Sequence, residues 1–98
     1  MHIGTLTVIL YLHDTSSLKD KRQIIKSLVE TTRQKFNIAI AEVDDLDLWG
    51  KATIGIVSVS NEKAHANRVL DKVLEAFESN PRFEVGETAL EMISKVRG

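Results

Sequence analysis

A chain of 98 residues with 43% hydrophobic residues, one Pro and five Gly suffices for one packed domain, is too short for two, and is neither low-complexity nor collagen-like. Thirteen Lys and Arg stand against 14 Asp and Glu, a formal net charge of −1, which excludes a generally basic nucleic-acid binder but leaves room for a local basic patch. Cysteine is absent, so disulfide frameworks, thiolate metal sites and cysteine nucleophiles are excluded, and a cytoplasmic location is the default expectation.

Ile3–Leu12 reads as the first strand. Leu6, Val8, Leu10 and Leu12 form one apolar face, and Ile3, Thr5, Thr7, Ile9 and Tyr11 form a mixed one. The uncharged stretch ends at His13 and contains Gly4, Thr5 and Thr7, well short of the roughly 20 apolar residues of a bilayer span. Its flanks lack a signal-peptide pattern, so no membrane or targeting segment is expected. Ser17 with Asp20 resembles a capping box. Leu18–Phe36 follows as a helix, with Leu18, Ile25, Val29, Thr32 and Phe36 on its apolar stripe and Ile24 and Leu28 on the shoulder.

Ile38–Val43 is a short strand, and Asp44–Lys51 is a polar connection containing Trp49-Gly50. Ala52–Ser60 is a third strand. Asn61 is the expected N-cap of a second helix over about Glu62–Ser79, which buries Ala66, Val69, Leu70, Val73 and Phe77 and stops at Asn80-Pro81. Phe83 to about Met92 is the last strand, and a frayed tail is expected over Ser94–Gly98. The order β-α-β-β-α-β, with right-handed crossovers, predicts an α+β ferredoxin-like sandwich. Its four-stranded antiparallel sheet has the order 4-1-3-2 with both helices on one face, a single domain over 1–98.

One sheet face then has no helix over it. Ile3, Ile9 and Tyr11 point there, joined by either Ile54 and Ile56 or Val57 and Val59. Such a face favours a homo-oligomer. The third strand carries no aromatic residue, so base stacking on this sheet is not expected.

On the first helix Lys19, Arg22, Lys26 and Arg33 fall within a sector of about 60°, with Lys21 and Lys35 on the other flank of the apolar stripe. The Ser16-Ser17 approach adds backbone N–H groups at a helix start that favours anions. The functional reading is a phosphate-backbone contact; on spacing alone a solvated helix face is the commoner use of such a pattern. On the second helix His65, Arg68 and Lys72 share a sector opposite Asp71, Glu75 and Glu78, and the fold keeps this patch apart from the first.

The acidic run at Glu42, Asp44, Asp45 and Asp47 lacks the calcium-loop pattern and reads as a solvated turn. His13-Asp14 beside Ser16-Ser17 contains triad residue types without a nucleophile elbow, and neither common nucleotide loop occurs. No catalytic residue, metal or cofactor is assigned, and the reading inclines away from an enzyme. Trp49, the only Trp, either caps the core edge or anchors a partner; with Tyr11 it is the candidate partner contact.

Met1-His2-Ile3-Gly4, Ser17-Leu18-Lys19-Asp20-Lys21-Arg22, Lys26-Ser27-Leu28, Phe36-Asn37, Ala41-Glu42-Val43, Asp47-Leu48-Trp49 and Ala64-His65-Ala66 together resemble the YlxP-like bacterial family of small proteins of unknown function. The resemblance runs from about residue 2 to 87 and is weakest over Thr88–Gly98. It implies a ferredoxin-like fold and a bacterial cytoplasmic protein, from a family whose genes tend to sit among those for translation and ribosome maturation. With that context the expected function is a non-enzymatic accessory factor. It would contact ribosomal RNA or a ribosome-associated protein, with Lys19, Lys21, Arg22, Lys26 and Arg33 on phosphates. The alternative is a homo-oligomeric small-ligand-binding or regulatory module joined through the open sheet face.

Overall fold

The structure is a computed structural model that describes residues 1–94. Its elements are β1 (His2–Leu12), α1 (Leu18–Lys35), β2 (Ala39–Asp44), β3 (Lys51–Ser60), α2 (Lys63–Glu78) and β4 (Phe83–Ser94). The four strands form one antiparallel sheet in the order β2-β3-β1-β4, the expected 4-1-3-2 order read from the opposite edge.

Period-2 alternation sets the two faces. Leu6, Val8 and Leu10 of β1 pack with Ala52, Ile54 and Ile56 of β3, under Ile25 and Leu28 of α1 and Leu70, Val73 and Phe77 of α2, in one core cluster. The register Leu6↔Ile56 and Val8↔Ile54 fixes this parity. Ile54 and Ile56 are therefore core residues, while Val57 and Val59 take the open face opposite Thr5 and Ile3.

Ser17 caps α1 from an extended backbone, its hydroxyl accepting from the Asp20 N–H at 3.1 Å. The box is not reciprocal in the usual way, because the Asp20 carboxylate accepts from the Ser16 hydroxyl at 2.6 Å. The Ser16 hydroxyl and backbone N–H hold the Asp20 carboxyl below its ordinary range. The chain's own carboxylate thus lies against the helix start where the sequence alone points to an anion. α2 begins one residue later than expected. Glu62, not Asn61, is the cap, without a side-chain bond, and the Ser60 hydroxyl accepts the Glu62 N–H at 3.0 Å.

β4 runs two residues past Met92 because it keeps pairing with β1 to its end. Ser94, expected in a frayed tail, faces His2 and lies 2.9 Å from its ring Nδ1. The rest of that expected tail, 95–98, lies outside the described residues. The register shift between Val8 and Leu10 is a bulge against β4.

Candidate functional site

The cationic sector of α1 divides by burial. Lys19, Arg22, Lys26 and Arg33 are exposed. Arg33 reaches the edge strand, where its Nη2 donates to the Ile40 carbonyl at 3.4 Å, so it is partly committed to the fold. Arg22 and Lys26 make no ion pair among the described residues. Lys35, on the far flank, places Nζ 5.6 Å from the centre of the Phe36 ring.

Lys21 is a correction to the expected phosphate-contacting set. It is 0% exposed, and its ammonium lies 2.7 Å from Glu42 Oε2 and donates to the Asp45 carbonyl at 2.6 Å. The buried residues of α1 are Lys21, Ile25, Leu28 and Thr32, an arc centred nearer to Leu28 than the periodicity suggested, and Lys21 falls inside it. The cause lies across the interface, where Glu42 occupies the same core-facing parity as Ile40 on β2 and neutralises the lysine. Charged residues at inward positions of two facing elements were the available signal for this pair.

The acidic connection is therefore not a simple solvated turn. Asp45 adopts positive φ (62°), its carbonyl accepts from both Lys21 and the Leu48 N–H at 3.1 Å, and its Oδ2 accepts from the Thr53 hydroxyl at 2.7 Å. Lys51 Nζ lies 3.6 Å from the same oxygen. Asp44 Oδ1 accepts from the Asp45 N–H at 2.8 Å, a short local bond that supports the turn. Trp49 does not cap the core edge: it is 55% exposed, with Leu46 and Leu48 beside it in sequence also exposed. Sequence reasoning missed these two leucines.

Tyr11, the other partner-contact candidate, lies on the open sheet face opposite Lys51, the first residue of β3 and two residues after Trp49. Its ring covers Gly86, where a Cβ would come within 2.6 Å of Cε2. Elsewhere on the sheet, Thr5, Thr7, Ala39, Ala41, Gly55 and Val57 line a shallow apolar hollow together with Val43. His13 is exposed and its backbone N–H donates to the Arg82 carbonyl at 3.0 Å. Its side chain has no hydrogen bond to Asp14, Ser16 or Ser17 among the described residues, so the structure assembles no triad there.

These features define a split β-α-β sandwich with one uncovered sheet face, a cationic helix flank and an ordered acidic-apolar connection. Residues 3–90 match the family described as a protein of unknown function, DUF503, and the chain belongs to that family. It is also similar to the uncharacterized protein YlxP of Bacillus subtilis (strain 168), with 33% identity over 73 residues, 74% of this chain and 79% of that protein. No helix among the described residues is long and apolar enough to cross a membrane.

Proposed function

We propose that the protein is a non-enzymatic cytoplasmic accessory factor that contacts ribosomal RNA, or a ribosome-associated protein, through the outer flank of α1. The observation that carries this reading is the cluster of Lys19, Arg22, Lys26 and Arg33, all exposed, with Arg22 and Lys26 unpaired among the described residues. Four cations within about 60° of a helix surface match the spacing of a phosphate backbone better than that of a single small anion. The translation context implied by the family resemblance narrows the class of partner. Lys21 has no part in this surface.

The test is binding to ribosomal RNA fragments across a salt series. With three or four phosphates engaged on single-stranded RNA, log affinity falls with log salt at a slope of roughly −2 to −3. Arg22→Glu with Lys26→Glu abolishes binding and leaves the melting temperature nearly unchanged, since exposed substitutions of this kind stay within about 0.5 kcal/mol. Undiminished binding by that double variant refutes the proposal.

A second reading, self-association through the open sheet face, is favoured by the exposure of Val43, Val59 and Ile93 on or beside that face. A small-ligand or regulatory role would rest on that assembly. Sedimentation over a range of protein concentrations tests it.

A further inference from the structure

The β2–β3 connection is both tied down and apolar at its surface. Asp45 receives Lys21, Leu48 and Thr53, and the Gly50 carbonyl receives the Leu12 N–H at 2.9 Å, which closes the connection onto the end of β1. Yet Leu46, Leu48 and Trp49 are 53%, 48% and 55% exposed. A loop that only connects two strands is ordinarily polar at its surface. Here a buried ion pair fixes the backbone while three large apolar side chains stay in water. The ordering cost that a binding loop meets on association has been met during folding. An exposed Trp on a fixed backbone is the kind of anchor found at interface centres, and the exposed Leu46 and Leu48 that precede it add apolar area.

Charge specifies the partner. Glu42 is taken by Lys21, and Asp45 by Thr53 and Lys51. Asp44 and Asp47 have no cationic partner among the described residues, so the apolar group is bordered by uncompensated negative charge. That border repels nucleic-acid phosphates and acidic peptides and complements lysines and arginines.

We propose that this connection is a docking site for a basic amphipathic protein segment, with Leu46, Leu48 and Trp49 as its apolar anchors and Asp44 and Asp47 as its charged border. The site is independent of the α1 flank. The two surfaces have opposite sign, and Lys21, which ties the connection down, lies about 130° around α1 from the centre of the cationic sector.

Trp49 is the only tryptophan, so intrinsic fluorescence reads this site directly. The probes are a Lys/Leu amphipathic peptide, the same composition scrambled to remove its apolar face, a Glu/Leu amphipathic peptide and an oligouridylate. The expected result is a saturable blue shift with the basic amphipathic peptide, at least about tenfold weaker for the scrambled one and absent for the two anionic probes. Asp44→Asn with Asp47→Asn weakens the response about tenfold, as does Leu46→Ser with Leu48→Ser, each with unchanged circular dichroism. Arg22→Glu with Lys26→Glu leaves it unchanged, which separates this site from the RNA-contact proposal. No response to the basic peptide, an equal response to the scrambled peptide, or a saturable response to the oligonucleotide overturns the proposal. So does a blue shift on concentrating the protein alone, which would mean that a second copy covers the tryptophan. If either double variant fails to fold, the four-probe comparison on the unmodified protein still decides.

Discussion

Lys21 places its ammonium at a site with no exposure, and among the described residues its counter-charge is Glu42. Removing one member of such a pair leaves an uncompensated buried charge, whereas replacing both with apolar groups of similar volume is often neutral or better. Glu42→Gln is expected to cost about 3–5 kcal/mol in urea unfolding. Lys21→Met costs less, because the Glu42 side chain retains 16% exposure and can be hydrated. The double variant Lys21→Met with Glu42→Leu recovers most of the loss, and a double that is as unstable as Glu42→Gln alone refutes this account. Asp20 gives the residue scale its pH dependence. The Ser16 hydroxyl, followed by the Ser16 backbone N–H, holds its carboxyl below the ordinary carboxylate range in the folded protein. The stabilising contribution is therefore present above the ordinary carboxylate range and fades as pH falls through the depressed folded value. Asp20→Asn should lower the melting temperature at neutral pH, and the difference from wild type should shrink on acidification below about pH 4.

At the scale of elements, the spacing between α2 and the sheet depends on Gly4. A Cβ at this position would lie 2.7 Å from Leu70 Cδ1 and 3.1 Å from Met92 Sδ. Leu70 is fully buried, so it has little room to yield. Gly4→Ala is expected to destabilise the protein by about 1–3 kcal/mol through overpacking, readable as a lowered urea midpoint with unchanged slope. The strands and helices were legible in the sequence because they rest on local period, as with Leu6-Val8-Leu10, helped at the first helix by the Ser17 cap, and the sheet order because right-handed crossovers leave few alternatives. The Lys21–Glu42 pair was not read, since helical spacing places a residue only to within a flank and the partner sits on another element. The ordered connection was also hidden: its acids suggest solvation, and the exposure of Leu46 and Leu48 depends on bonds from Lys21 and Thr53 that sequence order does not display. Of the five basic residues expected to contact phosphates, Lys19, Arg22, Lys26 and Arg33 are exposed and Lys21 is buried.

For the whole molecule, a net charge of −1 conceals two surfaces of opposite sign on either side of α1. The uncovered sheet face is the third large feature. Its strands hold 11, 6, 10 and 12 residues. At about 3.3 Å per residue and 4.8 Å between strands they cover roughly 600 Å². A standard interface buries about 800 Å² per partner, so face-to-face pairing would sit at the weak end of that range. Sedimentation equilibrium is expected to show a concentration-dependent shift toward dimer. Val59→Asp, at a residue 56% exposed in the single chain, should abolish it without loss of stability. A wild-type protein that stays monomeric at high concentration refutes self-association through this face.

The pairing of His2 with Ser94 and of Leu12 with Phe83 has a mechanical consequence. Tension applied at residues 2 and 94 enters the β1–β4 ladder at one end, and its hydrogen bonds are loaded one after another, like a zipper. Tension applied at residues 12 and 94 enters from opposite ends and loads the same bonds together in shear. β4 is an edge strand, so in the first geometry it peels away while β1 is still held by β3. The molecule is thus soft along one pulling direction and stiff along another, an anisotropy set by the antiparallel register of β1 with β4 and by the edge position of β4.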